Sequence, residues 1–280
     1  MVKRQLKKYM NNFPEFNDSA IIGLGGGSST GKTSILTKLV KKIVRQQGYE
    51  VVIIHGDDFM LGKDFLEQYQ DEQAKRLRWD DPRNFDLPLV KEMLEKIKAN
   101  KFPIAIPTFD YVQVRRSQKQ QVVKQPKKPT IFVLESIYAL ADVLYPYLDY
   151  SFYIEASFLF RLTVRVLRNV SKFKMKPIKA LKQFIYQVET AHREYVEPQK
   201  AKAKQVIRNV FRQELARQYG QIIQTTPSMR VKIELNSETD GLKLQANENK
   251  LVVWCNEKEL LIAMKIDKEI YRQLRGQVMS

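Results

Sequence analysis

The stretch "GGGSSTGKTS", Gly25 to Ser34, constrains this chain more than any other. It lies between the apolar run "AIIGL" and the helically spaced "ILTKLVKKIV". Glycine-rich backbone between a predicted strand and a predicted helix is either a plain turn or a cradle for an anion. Gly26, Gly31, Lys32 and Thr33 fit the eight-residue spacing of a phosphate-binding loop. Each residue type has a physical reason. The glycines let successive backbone N–H groups turn inward at a helix N-terminus. Lys32 brings a point charge to the outer phosphates, and the Thr33 hydroxyl can ligate Mg²⁺. The candidate phosphate contacts are Gly26, Gly27, Ser28, Ser29, Thr30, Gly31, Lys32, Thr33 and Ser34. A strand before and a helix after favour the cradle over the turn.

From Ala20 onward, strand and helix patterns alternate. "VVIIHGDD" is a β-branched run ending in acid, and "DLPLVKEMLEKIKANK" has helical spacing. "FPIAIPTFDY" reads as extended, "PTIFVLES" as a buried strand and "YSFYIEA" as another strand. "FLFRLTVRVLRNV" and "IKALKQFIYQVETAHREYV" read as helices. Such alternation predicts right-handed crossovers and a three-layer α/β fold with a mostly parallel sheet. Ligands in these sheets sit at the carboxyl ends of the strands. The glycine stretch, Asp57, Asp58 and Glu135 all fall there. After about residue 210, "MRVKIEL", "GLKLQA", "KLVVWC" and "LLIAMKI" read as short strands, with turn signals at Asp240-Gly241 and Asn247–Asn249 and a final helix near Asp267–Arg275. The expected organisation is a lead-in over 1–17, an α/β domain over 18–208 and a small C-terminal β-rich appendage over 209–280. No chemistry is legible in the last.

Lys and Arg number 48 against 31 Asp and Glu, a formal net charge of +17. That balance favours anionic ligands: nucleotides, nucleic acid or acidic surfaces. The cations are spread through the N-terminal segment, 115–128, 161–182 and 200–217. They carry no aromatic-interleaved RNA-binding signature, zinc-finger spacing or basic region followed by heptads. Solubility and nucleotide attraction explain the charge better than a nucleic-acid groove, so nucleic acid is not expected as a partner. No run of about 18 apolar residues indicates a membrane span, and "MVKRQLKKYMNNFPEF" lacks the apolar core of a signal peptide. The single cysteine, Cys255, suits a reducing cytoplasm. With His55, His192 and Cys255 far apart in sequence, neither a zinc site nor a cysteine–histidine nucleophile is expected. His55 reads as a strand-end residue.

In "IIHGDDFM" a strand delivers Asp57 and Asp58 beside the loop. Moving a phosphoryl group to an alcohol needs a carboxylate that accepts the hydroxyl proton. It also needs acids that hold Mg²⁺ directly or through water. The succession "GGGSSTGKT", "GDDFM", "WDDPRNFD", "IPTFDYVQVRRS", "FVLES" and "RLTVRVLRN", in that order, resembles the uridine kinase branch of the P-loop kinases. That branch sits in a group with phosphoribulokinase, bacterial pantothenate kinase and nicotinamide riboside kinase. The resemblance spans about residues 18–208 and implies an enzyme that uses ATP and Mg²⁺, with self-association.

Residue by residue, the resemblance implies Asp57, beside Phe59, as the catalytic base. It implies Asp80, in "WDDP", as the acid that holds ribose hydroxyls, and Glu135 as the acid near the metal; on the chemistry of the loop and its neighbouring acids, Thr33 with Glu135 or Asp58 is expected to organise Mg²⁺. Arg165 and Arg168, at i and i+3 on one helix face, match arginines that approach the phosphates and the substrate. They join Lys32 as catalytic groups. The acceptor implied is the 5′-hydroxyl of a nucleoside. Another riboside, a pantothenate-like compound or a sugar phosphate is the alternative within the enzyme class. A nucleotide-binding regulatory or nucleic-acid-associated protein is the alternative outside it.

Two departures bear on the substrate. Phe109 stands where the family has a tyrosine and Val114 where it has a histidine, while Tyr111 keeps an aromatic face for stacking. A site without those polar partners rejects analogues weakly, so low pyrimidine selectivity is expected. The family's arginine-glycine-arginine lid is replaced by "SKFKMKP". Lys172, Lys174 and Lys176 keep the charge without bidentate geometry. Residues from Lys172 to Lys179 are expected to close over the site and exclude water.

Overall fold

The computed structural model describes residues 15–68, 79–209, 232–233, 242–248, 250–255 and 259–278. In chain order these form β1 (Ala20–Gly26), α1 (Lys38–Gln46), β2 (Glu50–His55), α2 (Lys63–Gln68), α3 (Leu87–Lys98), β3 (Ile104–Asp110), β4 (Arg115–Val123) and β5 (Thr130–Glu135). There follow β6 (Tyr150–Glu155), α4 (Phe158–Phe173), α5 (Pro177–Gln183), β7 (Gln205–Arg208), β8 (Lys232–Ile233), β9 (Leu242–Asn247), β10 (Lys250–Cys255), β11 (Glu259–Lys265) and α6 (Lys268–Val278). Most of the lead-in, most of "MRVKIEL" and the Asp240-Gly241 turn lie outside the described residues. The chain falls into two compact units. One takes the described parts of 15–27, 31–155 and 191–208, the other those of 28–30, 156–190 and 209–280.

The first unit is built on a five-stranded parallel sheet of order β2-β5-β1-β6-β7. β1 and β5 are buried along their whole length, which is why they read as unbroken apolar runs rather than alternation. Successive side chains serve opposite layers. Ile22, Leu24, Ile131 and Val133 pack with Val40, Ile43 and Val44. Ile21, Phe132 and Leu134 pack with Val90, Met93, Leu94 and Ile97 of α3. This is the three-layer α/β architecture the alternation predicts. α3 begins where its sequence dictates: Asp86 accepts the Leu89 N–H at 3.1 Å, and Pro88 sits in the first turn.

Two strands are absent from the sequence reading. β4 pairs antiparallel with β3 as a hairpin, although "RRSQKQQVV" is polar and largely exposed. β7, the four-residue "QVIR", adds the outer strand beside β6. Gly62 fixes the turn end of the hairpin through its bridge to Arg115. Its φ is +97°, and a Cβ there would lie 2.6 Å from the Val114 carbonyl oxygen, so a side chain is excluded on both counts.

In the second unit α4 and α5 pack with a four-stranded antiparallel sheet of order β11-β10-β9-β8. Leu162, Val166, Leu181 and Val188 share a core with Leu251, Val253 and Leu261, and with Ile270 and Leu274 of α6. The C-terminal β-rich appendage therefore buries its apolar face with these helices. Ser157 caps α4 by accepting the Phe160 N–H at 3.2 Å, and Lys174, at φ +53°, ends it.

Within this core Arg161 and Glu189 pair at 2.6 Å with side chains 5% and 2% exposed. The guanidinium also lies 6.0 Å from the Phe184 ring centroid. Removing one partner leaves the other charge buried. Glu189→Ala is expected to cost about 3–5 kcal/mol, read as a lowered midpoint in urea. The double change Arg161→Met with Glu189→Leu is expected to recover most of that loss. Among the described residues no helix is long and apolar enough to cross a membrane.

Candidate active site

The loop after β1 leaves from the carboxyl edge of the parallel sheet. Gly26, Ser29 and Gly31 have φ of +134°, +64° and +95°, the conformations by which backbone N–H groups converge on an anion. In the first unit Lys32 is 8% exposed, and its Nζ donates to the carbonyls of Gly26 and Gly27 at 2.8 and 2.9 Å. The cation is thus folded over the loop's own backbone. Thr33 Oγ1 donates to Glu135 Oε1 at 2.9 Å, and Ser34 is exposed.

In the second unit the crest Ser28–Thr30 meets residues on and beyond α4. Arg165 Nη1 donates to Ser28 Oγ at 2.6 Å, and Asn209 Nδ2 donates to the Thr30 carbonyl at 2.7 Å. Ser29 Oγ and Arg165 Nε are buried there without a hydrogen-bond partner. Buried groups left so cost about 1–3 kcal/mol each. Phosphate oxygens would satisfy both, so these residues fit the phosphates of a nucleotide. Arg168 is half-buried on the same helix, while Lys172, Lys174, Lys176 and Lys179 are exposed.

Strand register places the acids. β2 and β5 run parallel with His55 opposite Glu135, and His55 Nδ1 lies 2.9 Å from Glu135 Oε2. A carboxylate only accepts, so Nδ1 carries the hydrogen. That bond holds the imidazole above its ordinary range against the opposing effect of burial, with smaller contributions from the charges of Glu135, Asp58 and Asp57. Burial is the largest influence on Glu135 and would raise it. The His55 hydrogen bond, the Lys32 charge and the Thr33 hydroxyl together outweigh burial and hold the carboxyl below its usual range. Glu135 is therefore kept ionised beside Thr33.

Asp57 is exposed on the turn after β2, and Asp58 is half-buried. Asp58 Oδ1 accepts the Phe109 N–H at 3.2 Å, and burial raises its carboxyl. Among the described residues no three His, Cys, Asp or Glu side chains form a metal cage. One carboxylate with a hydroxyl suits Mg²⁺, which is held by few protein ligands together with substrate phosphates.

Three segments of the first unit, 57–62, 79–86 and 109–116, interlock. Leu61 and Gly62 donate their N–H groups to the carbonyl and Oδ1 of Asn84 at 2.8 and 3.1 Å. Arg116 donates to Asp86 Oδ2 at 3.1 Å and to the Phe59 carbonyl at 3.2 Å. Asp80 is half-buried, and its carbonyl accepts the Tyr138 O–H. Asp81, 2% exposed, accepts from Arg83 N and Nε at 2.9 Å and from Nη2 at 2.8 Å. Phe109 is buried and meets the exposed ring of Tyr111 edge to face at 5.3 Å. Val114 sits at φ +56°, a left-handed conformation rare for a β-branched residue. Its carbonyl accepts the Lys63 N–H at 2.9 Å.

The structure thus gathers Asp57, Asp58, Asp80, Phe109 and Tyr111 into one frame of the first unit, and joins Thr33 to Glu135. Arg165 and Arg168 lie in the second unit, where Arg165 meets Ser28. Sequence reasoning takes His55 for a strand-end residue and passes over Asn84, Arg116 and Tyr138. Only for His55 is there a local signal: it and Glu135 are the last residues of two runs that pair.

A glycine-rich loop from the first strand to the first helix of a parallel sheet, with its lysine, threonine and a strand-end carboxylate, defines a P-loop nucleotide-binding protein. The model of the Phosphoribulokinase / Uridine kinase family matches residues 21–216, and the chain belongs to that family. It is a phosphotransferase of the kinase class. The uridine kinase of Macrococcus caseolyticus is 28% identical over 190 residues, 68% of this chain and 87% of that protein. That of Staphylococcus carnosus is 28% identical over 192 residues, 68% of this chain and 88% of that one. Two solved structures share the fold. Phosphoribulokinase from Rhodobacter spheroides has a TM-score of 0.55 at 12% identity over 85% of this chain and 80% of its own. A possible uridine kinase from Bacillus stearothermophilus has a TM-score of 0.51 at 17% identity over 74% and 98%.

Proposed function

We propose that the protein transfers the γ-phosphoryl group of ATP to the 5′-hydroxyl of a nucleoside. The observation that carries the choice of acceptor is the charge of the interlocked frame. Segments 57–62, 79–86 and 109–116 hold six aspartates and three arginines in a chain whose net charge is +17. Arg83 engages Asp81, and Arg116 engages Asp86. A phosphorylated sugar would bring its anion into this surplus of carboxylates, whereas a neutral sugar with free hydroxyls would not.

In this reading the loop amides and Lys32 hold the phosphates of ATP. Asp57 accepts the hydroxyl proton as the acceptor oxygen attacks, and Asp80 takes two charge-assisted hydrogen bonds from vicinal ribose hydroxyls. Arg165 and Arg168 offset charge that develops on the transferred group. Thr33 and Glu135 would hold Mg²⁺, which when bound neutralises phosphate charge. Phe109 and Val114 offer the base no polar contact, while Tyr111 offers it a face. Selectivity among bases is then low.

A coupled assay for ADP release across uridine, cytidine, other ribosides, pantothenate and a pentose phosphate tests this. Turnover is expected with several ribosides, at KM values within about tenfold of one another, and not with the pentose phosphate. Turnover with the phosphorylated sugar alone would overturn the acceptor. ATP binding without turnover of any acceptor would overturn the kinase reading.

A further inference from the structure

His55 ends β2 and Glu135 ends β5, and the parallel register sets them side by side. Both carboxylate oxygens of Glu135 are held. Oε2 receives His55 Nδ1 at 2.9 Å, and Oε1 receives Thr33 Oγ1 at 2.9 Å. The Glu135 side chain is 8% exposed and the imidazole 46%, so the bond reaches from a buried carboxylate to a half-exposed ring. Two donors on opposite oxygens fix the plane of the carboxyl group. Partners of this kind orient ligands they do not replace.

We propose that His55 is a positioning residue of the kinase centre. It keeps Glu135 in the orientation that presents Oε1 to Thr33 and to the cation of a metal–nucleotide. The inference rests on the kinase reading above. Without His55 the buried Oε2 loses its donor, and the carboxyl group is no longer held from both sides. Glu135 would then turn from Thr33 and leave the position from which it serves the cation, while Lys32 and the loop amides stay as they are. The defect would appear with metal and not without it.

The test is ADP binding by wild type, His55→Ala and His55→Asn, each titrated calorimetrically with excess Mg²⁺ and again with EDTA. Asparagine is chosen because its amide nitrogen stands at the same number of bonds from Cα as Nδ1. His55→Ala is expected to weaken ADP binding in Mg²⁺ by about tenfold and to leave binding in EDTA within about twofold. His55→Asn is expected to recover most of the Mg²⁺-dependent affinity. Equal loss in both conditions would mean a damaged loop and would overturn the assignment. So would unchanged affinity in Mg²⁺, or no recovery by asparagine. Wild-type protein that binds ADP in neither condition would overturn the kinase reading itself, an outcome distinct from these.

Discussion

Asp57→Asn is expected to lower kcat by about 10²- to 10⁴-fold with any acceptor the enzyme turns over, while ADP affinity stays within about twofold. The two aspartates after β2 are not equivalent. Asp58 is half-buried and tied to the hairpin through the Phe109 N–H at 3.2 Å. Asp57 is exposed at the carboxyl end of the sheet, where an incoming alcohol can reach it. Asparagine keeps the shape of the side chain and can orient a hydroxyl, but its amide cannot take the proton. Asp58→Asn keeps a carbonyl oxygen for the Phe109 N–H, so its expected loss is much smaller. The coupled assay at saturating ATP separates the pair. A wild-type kcat in Asp57→Asn, or a larger loss in Asp58→Asn, would move the base to the other residue.

The phosphate loop and the parallel sheet are legible in the sequence because both are properties of contiguous residues. Glycine spacing and unbroken apolar runs need no knowledge of what lies across the fold. β4 has no such signature: its polar residues become a strand only because β3 offers a ladder on the other side of the hairpin. β7 is too short to show a period. The same division holds within the site. Lys32, Thr33 and the acids at strand ends follow from the loop and the strand order. The His55–Glu135 contact depends on which residue of β2 faces which residue of β5, and the Tyr138–Asp80 contact on a loop folding back across 58 positions. The roles of Asp80, Arg165 and Arg168 come from family resemblance, since neither an acidic turn nor a pair of helical arginines announces chemistry by itself. The core shared by α4, α5 and the C-terminal strands was hidden for the same reason. Each apolar face is visible alone, and nothing local says that they meet.

Lys32→Met is expected to lower kcat/KM by about 10²- to 10³-fold and to weaken ADP binding, yet change the urea midpoint of the nucleotide-free protein little. Methionine keeps the unbranched stem and removes the ammonium. In the free protein the residue is 8% exposed, its ammonium donates to two carbonyls at 2.8 and 2.9 Å, and its charge also acts on the Glu135 carboxylate. Burying a cation costs solvation that such groups offset, so the two effects of removing it on stability oppose each other, and the loss falls on activity. The converse arrangement is equally concrete. If Lys32 served mainly to clamp the loop through Gly26 and Gly27, its loss would lower the urea midpoint and spare nucleotide affinity. Denaturation and ADP titration of one variant therefore distinguish a phosphate ligand from a structural clamp, and the kinase assignment requires the first.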